Sequence, residues 1–241
     1  MSASTLLRLS GFGLMLAVPA GIVGGLIHPR SESLADLVGS STTPSHLLFA
    51  LAFALIVISL PGLFAAHSGR SGVLGLVGYV AMMLFSGYHL YLLLYEAGPV
   101  AALSNDPEAE RLFASGGIVQ RGTLRAWGSP LGILAPIIYG VAMLRAGIRP
   151  RLPGWLVIAF VPAFFAATGL LALLPLEPRT TLIEMRFTPI WLVLSYGLLL
   201  VGLAIPGYQL WRTQRLEFDR LPRDSVTAPT QGGQASGSNS S

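Results

Sequence analysis

The stretch "SGVLGLVGYVAMMLFSGYHLYLLLY" (71–95) decides the fold class, because it contains no acidic or basic residue other than His89. About 20 consecutive apolar residues are enough for an α-helix to cross a lipid bilayer. This stretch therefore predicts a transmembrane helix, and five further runs of similar length and composition predict five more. The predicted spans cover residues 7–28, 46–66, 72–95, 127–145, 153–176 and 187–211.

The composition of the whole chain agrees with this interpretation. Of its 241 residues, 53% are hydrophobic and 11% are charged, and the mean hydropathy is +0.67. Soluble domains carry about 25% charged residues, so the sequence predicts an all-α bundle of six transmembrane helices. The chain has no cysteine, which excludes disulfides and thiolate chemistry. Its arginines flank apolar runs instead of forming a basic groove, which argues against nucleic-acid binding.

The positions of the arginines predict the orientation of the helices. If the N-terminus is cytoplasmic, most of the arginines fall on the cytoplasmic side, as the positive-inside rule requires. We therefore expect both termini to be cytoplasmic, in the cytoplasmic membrane of a bacterium. The cytoplasmic arginines would be Arg8, Arg70, Arg145, Arg149, Arg151, Arg212, Arg215, Arg220 and Arg223.

Three segments need a separate interpretation. The motif "AVPA" (17–20) could end a signal peptide, but the apolar run continues to His28, which favours a retained first helix. The outer loop 96–126 is expected to hold a short interfacial helix, with Asp106 as N-cap. Residues 222–241 are polar and rich in serine and glycine, which predicts a disordered cytoplasmic tail.

Four ionisable residues are expected to converge on the outer third of the membrane. His28 ends the first span, His46 begins the second, and His89 and Glu96 lie near the outer end of the third. Imidazole and carboxylate groups suit a divalent metal ion such as zinc, so these four residues are candidate ligands for a metal or a small molecule. The alternative is structural: interfacial histidines cap helices, and His89 bonds to a backbone carbonyl, Ser86 or a tyrosine.

The sequence leaves three functional classes open. The spans lack aspartate and glutamate at their centres, and no catalytic triad or phosphate-binding loop is recognisable. A non-enzymatic accessory or structural role without a cofactor is therefore one class. The others are a metal- or ligand-binding protein that uses the outer His/Glu group, and a carrier for neutral or lipid-like substrates. Apart from the lipid bilayer, the expected partners are a second copy of the chain or another membrane protein.

Several short motifs carry a resemblance to a known group of proteins. They are "LIHP" (26–29), "PSHLL" (44–48), "SLPGLFA" (59–65), "GVLGLVGYV" (72–80) and "LYEAG" (94–98). Over residues 26–98 the chain resembles small, uncharacterised bacterial multi-pass membrane proteins. The resemblance implies a six-helix inner-membrane protein and no particular activity.

Overall fold

The part of the chain that the computed structural model describes is built of helices. It comprises residues 3–29, 40–100, 108, 123–173 and 182–220, and it contains no β-strand. A single turn of π-helix, Glu96–Val100, follows the second of five α-helices. The α-helices are α1 (Ala3–Leu26), α2 (Thr42–Tyr95), α3 (Thr123–Arg145), α4 (Leu152–Leu173) and α5 (Leu182–Arg220).

Among the described residues, three helical segments are long and apolar enough to cross a membrane, namely Ser4–Leu26, Thr42–Gly98 and Pro189–Thr213. Two shorter apolar helical stretches occur in α3 and α4. Large apolar side chains also point outward, and Val73 is 78% exposed. An outer surface of this kind is unsuited to water and suited to lipid, so the fold is that of a membrane helical bundle.

Helix α2 reverses direction at Gly72 and forms two antiparallel halves. Gly72 has φ +58° and ψ −151°, whereas the residues on both sides are helical. The rings of Phe64 and Tyr79 stack at 4.7 Å, and those of Phe53 and His89 at 4.9 Å. In a straight helix, with its rise of about 1.5 Å per residue, the second pair would lie on the order of 50 Å apart. The two halves therefore pack against each other along their length.

The helices close into a ring. Helix α1 packs against α5 and against the first half of α2, where Ser45 Oγ donates a hydrogen bond of 2.9 Å to the carbonyl of Gly24. Helix α3 packs against the second half of α2, with Gly78 against the backbone of Tyr139. Helix α4 packs against both α3 and α5, which completes the ring. Six helical segments thus surround a core that includes the fully buried side chains of Phe53 and Phe85.

Glycines allow helices of the ring to approach each other closely at two contacts of α1. A Cβ atom at Gly11 would lie 2.8 Å from the backbone nitrogen of Trp211 and closer still to the carbonyl oxygen of Gly207. Gly24 similarly faces the backbone of Ser45, at 3.0 Å from its carbonyl oxygen to a Cβ placed there. Small residues permit such contacts in membranes, where helix association depends on packing. The geometry at both glycines is therefore that of close helix packing.

The helix boundaries differ from the predicted spans around Gly72 and at the last helix. A loop was expected between the second and third spans, but the helix continues to Ser71 and resumes directly after Gly72. The last helix continues to Arg220, beyond the predicted end of the span at 211. The predicted tail 222–241 lies outside the described residues. So does the outer loop 96–126, where an interfacial helix is expected, apart from residues 96–100, 108 and 123–126.

Replacing Gly72 with alanine is expected to lower the free energy of unfolding by about 1 to 2 kcal/mol, because its backbone conformation is close to exclusive to glycine. Gly69 provides a matched control, since it lies in regular helix with no atom within 4 Å of an added Cβ. Alanine at Gly69 should instead raise stability by roughly 0.5 to 1 kcal/mol. Unfolding in mixed detergent micelles would measure both, and equal effects would contradict a special conformation at Gly72.

Candidate functional site

A cavity of about 330 Å³ lies between the helices, on the side where α1 ends and α2 begins. Aromatic rings from both halves of α2, from α4 and from α5 form most of its wall. Polar side chains interrupt this wall at a few points, which is the usual character of a small-molecule site. Among the described residues, these polar side chains are those of His28, Tyr88, His89, Glu96 and Tyr196.

His89 and Tyr196 form one polar unit in the wall. His89 Nδ1 lies 2.9 Å from the carbonyl oxygen of Phe85, one helical turn earlier. A carbonyl can only accept, so Nδ1 carries the proton, and Nε2 of the neutral ring is an acceptor. The hydroxyl of Tyr196, 3.1 Å away, therefore donates its hydrogen to Nε2. This bond connects the second half of α2 to α5 and fixes the tautomer of His89.

Aromatic side chains hold this unit in place. The ring of Phe53 stacks on His89 at an interplanar angle of 18°, and it meets Tyr196 edge-on at 5.9 Å. Tyr196 also contacts Phe49 at 5.6 Å and Phe160 at 5.2 Å. Rings from the first half of α2 and from α4 thus surround the hydroxyl–imidazole bond, and rings in such offset and edge-on contacts stabilise one another.

His46 and Glu96 form a second polar unit, which joins the two ends of α2. His46 Nδ1 donates to the carbonyl oxygen of Thr42 at 2.8 Å, and Nε2 lies 3.1 Å from Oε2 of Glu96. One proton must lie between these two atoms, since two acceptors would repel each other. Either His46 is protonated and Glu96 ionised, or a neutral carboxyl group donates to a neutral ring. His46 is 1% exposed and the Glu96 side chain 26%.

His28 lies beside this pair, just beyond the end of α1. Its ring centre is 4.9 Å from that of His46, and its Nδ1 donates to the carbonyl oxygen of Pro29 at 2.9 Å. Burial lowers the pKa of His28 below its ordinary value, because it disfavours the charged ring; the hydrogen bond to Pro29 opposes this shift. His28 is therefore neutral at pH 7, with Nε2 as an acceptor.

Three of the four candidate residues, His28, His89 and Glu96, line the cavity, whereas His46 is buried beside Glu96. His28, His46 and Glu96 are neighbours, whereas the described partners of His89 are Phe85, Tyr196 and the surrounding rings. Within the described ranges, no group of three or more His, Cys, Asp or Glu residues has an arrangement that could hold a metal ion. A metal site built from these four residues gains no support from this geometry and stays a prediction.

Sequence reasoning missed the aromatic groups that α2, α4 and α5 contribute to the site. Tyr196, Phe160 and Phe53 lie within apolar runs, where nothing distinguishes them from packing residues. The position of Tyr196 is the one available signal, because tyrosines in membrane proteins concentrate at the ends of spans. A tyrosine in the middle of the predicted span 187–211 therefore needs a partner for its hydroxyl.

Comparison of the chain with protein-family models, curated proteins and solved structures finds no match. The resemblance to small bacterial multi-pass proteins therefore stays a prediction. The function has to be argued from the residues of the cavity.

Proposed function

We propose that this chain is a multi-pass membrane protein that binds a small organic molecule in the cavity between its helices. The observation that carries the proposal is the cavity itself, with its aromatic wall and its fixed polar groups. A volume of about 330 Å³ is at the lower end of the range for ligand sites, roughly 300 to 1,000 Å³. Such a site suits a molecule with one ring or a short chain.

The polar groups support binding because their positions are fixed before any ligand arrives. Backbone carbonyls hold the rings of His28, His46 and His89, each through Nδ1. Hydrogen-bonding groups that are already oriented lose little entropy when a ligand binds. A purely structural role would require only that each polar group be satisfied, and it would not require a cavity next to them.

The membrane topology in this proposal has six spans and cytoplasmic termini, in a bacterial cytoplasmic membrane. The antiparallel halves of α2 support the count, because each half is a separate apolar helix facing its own neighbours in the ring. The arginine distribution supports the orientation. In this orientation the cavity opens toward the outer half of the membrane, where a ligand could arrive from outside or from the lipid.

A leucine at Gly132 is expected to block ligand binding without disturbing the fold. Gly132 lines the cavity, and a Cβ atom there would meet only Phe85 Cε2, at 3.9 Å. A leucine side chain would therefore extend into the cavity, and leucine favours the helix more than glycine does. The purified protein would be screened with small organic molecules by thermal shift, in which a ligand at 100 times its Kd adds about 2.7 kcal/mol of stability.

Gly197→Leu is the matched control, because an added Cβ there has no atom within 4 Å and Gly197 does not line the cavity. We expect ligands that stabilise the native protein and the Gly197→Leu protein to have no effect on Gly132→Leu. If no compound stabilises the protein, or if Gly132→Leu responds as the native protein does, the binding proposal is wrong. The accessory or structural role would then be the better hypothesis.

A further inference from the structure

The end of the bundle opposite the cavity carries arginines on two segments that meet there. One segment is the turn of α2, and the other is the end of α3 with its connection to α4. The two are neighbours, because Ser71 of α2 and Ile148 of the connection line the same narrow groove. The arginines of these two segments, called the arginine cluster below, are Arg70, Arg145, Arg149 and Arg151.

The arginine cluster has no acidic counterpart on its own segments. The sequence contains no aspartate or glutamate from residue 40 to 95 or from 123 to 173. All four side chains are exposed, and within the described part of the chain none of their guanidinium groups forms an ion pair or a hydrogen bond. Helix α5 carries Arg212 to the same end, but Glu217 and Asp219 follow it and partly offset its charge. The charge of the cluster is therefore open to a partner.

The backbone that carries three of these arginines is held in place from two sides. Gly147, just after the end of α3, has φ +70°, a conformation that commonly ends a helix. Ile148 is 7% exposed, and its N–H donates to the carbonyl oxygen of Met143 at 3.4 Å. Gln209 Nε2 of α5 donates to the carbonyl oxygen of Arg149 at 2.6 Å. Because the backbone is already ordered, less freedom is lost when a partner binds.

Apolar side chains beside the arginine cluster place it at the membrane surface. Leu152 is 52% exposed and Trp155 58%, and both follow Arg151 within the first turn of α4. Val73, three residues after Arg70, is 78% exposed. Large apolar side chains in such positions suit lipid, and tryptophan is enriched where a span meets the headgroups. A phospholipid offers both a phosphate and acyl chains to this surface, whereas a soluble acidic protein would leave the apolar side chains without a partner.

We infer that the arginine cluster binds an anionic phospholipid, with the headgroup phosphate against the guanidinium groups and the acyl chains along the apolar side chains beside them. A planar guanidinium group can donate two parallel hydrogen bonds to a phosphate. A zwitterionic lipid has the same phosphate, but its ammonium group cancels the charge that attracts arginine, so the cluster prefers a lipid with net negative charge. The inference does not depend on the cavity or on what the cavity binds.

Competition between two lipids with identical acyl chains tests the inference on the full-length protein. The protein is equilibrated in neutral detergent micelles with equal amounts of phosphatidylglycerol and phosphatidylcholine, and the bound lipids are counted by native mass spectrometry. One arginine near an anionic lipid surface strengthens binding about fivefold. We therefore expect about tenfold or more phosphatidylglycerol over phosphatidylcholine on the native protein at low salt. The excess should fall as the salt concentration rises.

Two double variants each remove half of the charge of the arginine cluster. They are Arg149→Gln/Arg151→Gln and Arg70→Gln/Arg145→Gln, and each should lower the ratio of bound phosphatidylglycerol to phosphatidylcholine about fivefold or more. All four side chains are exposed, so the fold should tolerate the changes. Both lipids are measured in one sample, so a partial loss of folded protein does not alter the ratio.

The matched control is Arg220→Gln/Arg223→Gln, which removes the same charge from the C-terminal part of the chain. Its ratio should stay within about twofold of the native value, because these arginines lie outside the cluster. A ratio that falls as far in the control as in the cluster variants would attribute the preference to total charge and contradict the inference. Equal binding of the two lipids by the native protein would also overturn it, and a soluble acidic partner would then be the better candidate for this surface.

Discussion

Phe53→Ala should lower the free energy of unfolding by about 3 kcal/mol, the largest effect that we expect from a single substitution in the core. Phe53 is 1% exposed and contacts the rings of Phe85, His89 and Tyr196. Truncation of a buried phenylalanine costs about 3 to 5 kcal/mol in soluble proteins. The lower end applies here, because the unfolded helices remain in an apolar medium and the loss is mainly one of packing.

Reversible unfolding in mixed detergent micelles would measure this change, with Phe12→Ala as the control. Phe12 lies on α1 and is 46% exposed, so its truncation should cost well under 1 kcal/mol. Phe53→Ala should also change the environment of His89, since its stacking partner is lost. Equal effects of the two substitutions would contradict the position of Phe53 at the centre of the ring of helices.

The sequence is a good guide to the helices, because a helix in lipid must satisfy its own backbone hydrogen bonds and is therefore marked by a long apolar run. The turn at Gly72 cannot be predicted in this way. A glycine in an apolar run also serves to let helices approach, as at Gly78, and nothing in the residue type separates the two roles. The positive φ angle at Gly72 follows from how the two halves of α2 pack. The amino-acid composition of the run carries no information about that packing.

The candidate site is also predictable from the sequence only in part. The positions of His28, His46 and Glu96 near the ends of spans predict that they lie on one side of the membrane, and the structure places them in contact. Tyr196 reaches His89 from a helix more than a hundred residues later. Which apolar runs are neighbours in the bundle depends on side-chain packing between helices, so a single sequence does not specify this contact.

Replacing His46 with leucine is expected to lower the free energy of unfolding by about 2 kcal/mol, because it breaks the hydrogen bond in which His46 and Glu96 share a proton. Leucine in place of His46 has a similar volume and removes the hydrogen bonds to Thr42 and Glu96. Breaking a wholly buried ion pair costs about 3 to 5 kcal/mol. The cost should be smaller here because Glu96 is 26% exposed and part of its carboxyl group can be solvated.

A double-mutant cycle separates this pairing from simple loss of packing. Glu96→Met removes the carboxyl group, and His46→Leu/Glu96→Met removes both partners. Because no buried polar group is then left unpaired, we expect the double variant to be more stable than His46→Leu alone by about 1 kcal/mol. A double variant that loses the sum of the two single effects would show that His46 and Glu96 are not coupled. The pair connects the beginning of α2 to the turn that follows its end. Positive coupling would therefore show that this bond has two roles. It orients Glu96 toward the cavity, and it holds the antiparallel halves of α2 together on that side.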